Sequence, residues 1–414
     1  ALPLRAGESH PVLTLVSMLA ARRGPFSAEM MATELGVSPA LLTPTLEKLE
    51  SDGVLISGSL RPDSADRQWC DREIWRRLRR ITLARLRKKV QPVESADYAR
   101  FLGRHQRVFE KRRGIDGLEA TLRQLEGVGL PWSVWVDDVL PTRVADFETS
   151  MLDTLCGSGS WLWRGLGRLG ARDVRVAFYR AEKFALLTSD PSAEPPKSDS
   201  PADRVLNALR EKGAMFAAEL GGLGTPQEIE SAWFELARAG WVRNDTGGPL
   251  LRMRAGRARS RRRVVRSADG RWSAFRDVGP NDATHVRLAW SDALLDRYGL
   301  LGRDTVATES VPGGFQALYE LLREMEDQGF VRRGTFVRDM TGIQFASTGS
   351  VDALRDSREG PEVYSLAALD PAQPYGSVLP WPDPMGAVQP RWVAGATMVL
   401  VRGRAALYIA SNRR

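Results

Sequence analysis

Gln227–Val242, QEIESAWFELARAGWV, is the stretch that decides the fold. Trp233 and Leu236 stand seven and four residues before Gly240, and the β-forming pair Trp241-Val242 follows it. That spacing puts both apolar side chains on one stripe of a helix. The glycine supplies the left-handed cap that ends the helix and turns the chain into a strand. The pattern occurs three more times: Leu46, Leu49 and Gly53 before Val54-Leu55, Leu152, Leu155 and Gly159 before Trp161-Leu162, and Leu322, Met325 and Gly329 before Phe330-Val331.

Shorter helical segments precede these helices, as at His10 to Arg22 with Ser27 to Leu35, and at Ser291 to Tyr298 with Arg303 to Glu309. Three helices followed by a β-hairpin is the winged-helix plan. The four glycines lie 106, 81 and 89 residues apart, so the units are irregular duplications and not a solenoid. Each is expected to bury its own small core. Four unrelated helical hairpins are the alternative, because helix, Gly and strand often follow one another.

The fold class is therefore mainly α with β: tandem winged-helix modules followed by a β-rich, barrel-like C-terminal module. The expected divisions are a first winged helix at 1–68, a basic helical connector at 69–113 and a second winged helix at 114–187. A linker at 188–202, rich in Pro, Ser, Asp and Lys, separates this pair from a third winged helix at 203–250. An Arg-rich loop at 251–287, a fourth winged helix at 288–346 and the β-rich module at 347–414 complete the chain.

Composition narrows the function. The 414 residues suggest several domains, and the net charge of +8 points to a polyanionic partner. Of the 59 basic residues, seven are Lys and 52 Arg, whose planar fork suits phosphates and base edges. A GC-rich coding sequence explains the Arg bias equally well, which leaves the net charge as the stronger signal. Cys70 and Cys156 are far apart and His10, His105 and His285 are scattered, so neither a disulfide framework nor a metal site is expected. No run of eighteen apolar residues appears, and the reading is of a cytoplasmic, nucleoid-associated chain without a membrane partner. An opening at Ala1 without Met reads as part of something longer.

The third helices of the units are poor base readers. Ala145 to Cys156 carries Asp146, Glu148 and Asp153, and Gln227 to Ala239 carries Glu228, Glu230 and Glu235, all of which repel phosphate. Better nucleic-acid candidates are two basic stretches. Trp69 to Val90 reads as one long helix with Arg76, Arg77, Arg80, Arg87, Lys88 and Lys89 around an Ile74, Leu78, Ile81 stripe. Arg257, Arg259, Arg261, Arg262 and Arg263 lie in a segment with little apolar periodicity, read as a mobile basic arm. Trp132, Trp135, Trp161, Trp163, Trp381 and Trp392 could stack on unpaired bases, with burial in the core as the commoner fate. No GxxxxGK[ST] loop, GxSxG elbow or HExxH helix occurs, and Gly313-Gly314 is sufficiently explained by a turn.

Several long strings resemble the C-terminal region of the large Lhr-type superfamily 2 DNA helicases. They are WCDREIWRRLRRITLARLRKKVQPV from Trp69, VLPTRVADF from Val139, RYGLLGRDTVATESVPGGFQALYELLREMEDQGFVRRGTFV from Arg297, IQFA from Ile343 and LAALDPAQPYGSVLPWP from Leu366. The resemblance implies an ATP- and Mg2+-dependent motor elsewhere in the same polypeptide, with no cofactor in this chain. It also implies DNA as partner, single-stranded or as a tailed duplex, a tie to DNA repair, and a likeness to winged-helix alkyl-DNA glycosylases. Assembly with further copies of the chain is left open. A glycosylase would need a carboxylate or amide to steady the cation at C1′ and orient water. Asp370, Asp383, Gln373, Gln389 and Gln344 are candidates by type alone. His105 stands where a Trp is expected in relatives. A transcription regulator is the weakest reading, since it needs a helix that reads bases.

Overall fold

In the computed structural model all four pattern glycines adopt the left-handed conformation, with φ of 74° at Gly53, 79° at Gly159, 77° at Gly240 and 86° at Gly329. After three of them the next N–H closes back onto the helix at 2.9 Å: Val54 onto Leu49 O, Trp241 onto Leu236 O, and Phe330 onto Met325 O. These closures satisfy carbonyls that a helix end otherwise leaves open. The structure describes residues 11–61, 66–89, 91–170, 173–188, 194–255, 270–275, 282–356, 361–383 and 389–411, with side chains for all but 83–89 and 255. Contacts divide it into two compact units, Ala1–Val90 with Asp327–Gly329, and Gln91–Glu326 with Phe330–Arg414.

The first unit is a winged helix. Helices Pro11–Ala20, Ala28–Leu35 and Pro39–Ser51 precede a hairpin of Leu55–Gly58 with Gln68–Asp71, paired antiparallel from Leu55↔Asp71 to Gly58↔Gln68. Ser27 caps the second helix by accepting the Met30 N–H, and Gly36 ends it at φ 68°. Val16, Met31, Leu42, Leu46, Leu49 and Trp69 form its core. Trp69, expected at the start of the basic helix, is instead in the wing and bridges Phe26. Asp71 sets the boundary: its Oδ1 accepts the N–H groups of Glu73 and Ile74, and the helix runs Arg72–Lys89.

The second unit opens with the helix Ser95–His105 and holds three further winged-helix arrangements. The first has the helix Gly114–Gln124, a broken helix through Trp132–Val134, Trp135–Val139 and Leu140–Arg143, and the helix Thr149–Gly157. Its sheet places Asp173–Arg180 between Leu130–Pro131 and Trp161–Leu169. The middle of the broken helix is a π-turn, just ahead of Pro141, which has no N–H to give to a regular ladder. Pro201–Lys212, a 3-10 turn at Ala217–Leu223 and Pro226–Ala239 make up the next arrangement, with Arg271–Ala274 between Met215–Phe216 and Val242–Asn244. The last comprises Ala283–Tyr298, Arg303–Thr308 and Gly314–Gln328, with Gln344–Ser347 between Leu300–Leu301 and Val331–Gly334. Gly313 and Gly314, at φ 73° and 62°, make the turn into Gly314–Gln328.

Two expectations change. The arrangements on either side of 188–202 do not bury separate cores: one cluster runs from Leu118 and Leu122 through Trp135 and Trp163 to Leu206, Trp233 and Trp272. Trp233 and Trp272 stack with centroids 4.5 Å apart. Physically, a 3-10 turn and strands of two to four residues give the Pro201–Ala274 arrangement too little apolar face to close alone. The segment read as an Arg-rich loop also contributes structure, through the helix Gly248–Ala255 and the strand Arg271–Ala274, with Trp272 only 1% exposed.

The C-terminal module, among the described residues, is an antiparallel sheet in the order Val363–Ala367, Thr397–Val401, Arg404–Ile409. Leu366, Met398 and Leu400 face inward, while Val363, Leu407 and Ile409 are exposed. These strands do not close on themselves into a barrel. Both cysteines are buried, and burial pushes Cys70 to about 11 and Cys156 to about 12. Since thiolate is the reactive form, the native chain at pH 8 is expected to take up no iodoacetamide over minutes, whereas urea should expose both thiols. Mass spectrometry of the labelled chain reads the result.

Candidate nucleic-acid interface and its buried supports

Eighteen residues, Arg72–Lys89, form the basic helix, about 27 Å of it. Arg76, Arg77 and Arg80 are exposed. Arg76 pairs with Glu73 at 2.7 Å, whereas Arg77 and Arg80 have no carboxylate partner among the described residues. The apolar stripe expected to anchor this helix is only partly covered, with Leu78 37% and Ile81 43% exposed. Arg87, Lys88 and Lys89 continue the helix, their side chains lying outside the described set. Arg257, Arg259, Arg261, Arg262 and Arg263 lie wholly outside the described residues.

Three of the acids read onto the third helices have structural roles, and Asp146 lies ahead of the observed helix. Asp146 accepts the Gly114 N–H at 2.9 Å, Asp153 accepts the Gly247 N–H at 2.6 Å, and Glu228 closes a capping box with Thr225. The helix Pro226–Ala239 buries Ile229, Trp233 and Leu236 in the shared core. Trp132, Trp135, Trp161 and Trp163 are buried too, so they stack on no base, and Trp381 and Trp392 are half-buried.

Three glycosylase candidates are consumed by the interior. Asp370, 1% exposed, receives two parallel bonds from the fully buried Arg143, Nη1 to Oδ2 at 2.9 Å and Nη2 to Oδ1 at 2.6 Å. Arg143 Nη2 also reaches Gln106 Oε1 at 2.6 Å, and Gln106 donates to Arg297 O at 2.9 Å. Arg297, 1% exposed, pairs with Glu309 at 2.5 Å and donates to Glu126 O. Two buried cations, each matched to a carboxylate, thus join the helix Ser95–His105, the second and fourth winged-helix arrangements, and the turn at Asp370. Gln373 is spent on the backbone of Ala368 and Tyr375, and Gln344 on that of Phe336 and Val337. Asp383 and Gln389 are exposed.

The residues next to these ties open onto a cleft of about 510 Å³, lined by His105, Arg112, Arg123, Gln124 and Asp296 together with Asp116 and Glu119. His105 Nε2 lies 2.7 Å from Asp296 O, which fixes that nitrogen as the N–H donor. Desolvation lowers the His105 imidazole below its ordinary value and raises the Asp296 carboxyl above its own. Neither the Arg143–Asp370 tie nor this cleft is evident from the residues alone, because the partners are hundreds of positions apart.

Residues 93–181 and 280–366 match, respectively, the third and fourth domains of the family described as large helicase-related protein, winged-helix domain, or Lhr. The chain is 37% identical, over 98% of its length, to the Lhr helicase/probable uracil glycosylase of Mycolicibacterium smegmatis. It is 30% identical, again over 98%, to the Lhr helicase/uracil glycosylase of Escherichia coli. Both matched stretches are similar to winged-helix domains of the Lhr family. The chain spans 29% of the length of each of these Lhr relatives. The arrangement at Pro201–Ala274 falls between the two Lhr matches. Among solved structures the chain resembles the Streptomyces sahachiroi DNA glycosylase AlkZ, at 14% identity and a TM-score of 0.46 over 76% of this chain and 87% of that one. No helix among the described residues is long and apolar enough to cross a membrane.

Proposed function

We propose that this chain is the accessory region of an ATP-dependent Lhr-type DNA helicase acting in DNA repair, engaging DNA and holding it, or partner subunits, beside the motor. The observation that carries the reading is the helix Arg72–Lys89, whose Arg76, Arg77 and Arg80 stand in solvent, two of them without a carboxylate partner among the described residues. Guanidinium groups along a rod neutralise successive phosphates and release counterions, giving affinity that is independent of sequence and falls with salt. ATP and Mg2+ belong to the motor domains of such a protein, and the nucleoid is where it would work. The substrate is single-stranded DNA or a tailed duplex.

Replacing Arg76, Arg77 and Arg80 together by Ala is expected to flatten the plot of log affinity against log salt for a fluorescent single strand by about 0.7 for each phosphate that is no longer neutralised. Anisotropy titrations at four salt concentrations measure it, and an unchanged slope removes the helix from the interface.

Base excision is the second reading. It draws on the names of the two relatives and on the polar cleft at His105 and Asp296. Uracil- or alkyl-bearing strands incubated with the chain and then treated with alkali should break at the modified base. Intact strands would leave only the first reading.

A further inference from the structure

The wing strand Trp161–Leu169 meets the C-terminal end of the helix Pro226–Ala239 backbone against backbone. A Cβ on Gly165 would stand 2.0 Å from Ala237 O and 3.1 Å from Arg238 Cα, and one on Gly240 would stand 2.6 Å from Gly165 O. Glycine at both positions lets the two backbones touch. The joint gathers arginines. Arg164, 5% exposed, lies over the rings of Phe184 and Phe275 at 5.7 and 5.6 Å, a structural cation–π arrangement. Arg168 and Arg238 are different. Arg238 lies over Phe234 at 5.7 Å with its buried Nε unbonded, and Arg168 gives its Nε to Gly170 O at 2.6 Å. Burial, and then repulsion from Arg168, lower the Arg238 guanidinium. Neither forms an ion pair with a carboxylate among the described residues, although the sequence has 51 Asp and Glu.

The negative end of a helix dipole accounts for one cation in the last turn. It does not account for a second, carried on the wing strand three residues past Gly165, which itself stands against Arg238 Cα, and repelling the first. Two like charges that repel one another, with no carboxylate partner among the described residues, are stabilised by an anion between them. A wing is also the part of this fold that lies along a nucleic-acid backbone.

We infer that Arg168 and Arg238, brought together where the wing strand crosses the end of the neighbouring helix, form a phosphate clamp for the DNA backbone. This rests on the proposed DNA engagement and assigns it a second contact surface, distinct from the basic helix. Because the joint is stiff, the clamp should tolerate little displacement of its phosphate and should prefer a duplex, whose phosphates are regularly spaced, over a flexible single strand.

The test uses the full chain and a fluorescein-labelled duplex, with Arg168→Glu and the double variant Arg168→Gln, Arg238→Gln. Arg168 is exposed, so its change leaves the core intact, and a thermal melt matching the parent verifies that. The double variant should reduce the log–log salt slope on duplex by about 1 to 2. Arg168→Glu should weaken low-salt binding at least tenfold, with a smaller loss on single strand. If the parent binds DNA and both variants match it, the clamp is wrong while the broader reading stands. If the parent binds no DNA, both fall. Displacement of the duplex by inorganic phosphate at constant ionic strength would assign the pair to a small anion and overturn the clamp.

Discussion

Asp370→Ala is expected to lower the stability of the chain by about 3–5 kcal/mol, the usual consequence of stripping one partner from a buried ion pair. Arg143 is fully buried and its Nη1 and Nη2 are both committed to that carboxylate. The Ala372 N–H, 2.8 Å from Asp370 Oδ1, would lose its acceptor as well. What remains is a guanidinium in an apolar interior with only Gln106 and the Val139 carbonyl for company. The double variant Arg143→Met, Asp370→Leu should recover most of the loss, because it removes both charges at once. Urea unfolding followed by tryptophan fluorescence reads both, since Trp132 and Trp135 share this part of the interior. A single variant within about 1 kcal/mol of the parent would show that the tie contributes little.

Gly165→Ala is the second large expected effect, a loss of about 3 kcal/mol or more. The obstacle is not a side chain that can swing away: the added methyl would meet the Ala237 carbonyl oxygen at 2.0 Å. One backbone must retreat, and the retreat opens the core between Trp163 and Leu236. Gly221→Ala is the matched control, with nothing within 4 Å of its new methyl, and should change stability by less than about 0.5 kcal/mol. Comparable urea midpoints for the two variants would contradict the close approach.

The winged-helix plan is legible in the sequence because it is carried locally. Gly53, Gly159, Gly240 and Gly329 each sit at a helix end whose apolar spacing is visible within eight residues, and each has the left-handed φ that this predicts. Trp69 reads onto the wrong element for a local reason too: the arginines that follow it extend a helical composition back over the wing strand, which Phe26 pairs with from 43 positions away. The site is less legible. Arg76, Arg77 and Arg80 announce themselves by composition, and the helix keeps them in solvent. Asp370 reads as a possible reactive carboxylate because an acid beside Pro371 carries no sign of its partner. Arg143 lies 227 positions earlier and only folding joins them. Arg168 and Arg238 belong to different arrangements, and neither lies in a basic run.

The core shared by the arrangements on either side of 188–202 has a practical corollary for dissecting the molecule. Cutting the chain in this hinge-like sequence would put Trp163 on one piece and Trp233 with Trp272 on the other, each with raw apolar surface turned to water. Halves made that way should clump when expressed alone and regain solubility when produced together. The two arrangements would then move as one rigid block, and any bending would have to occur elsewhere along the chain.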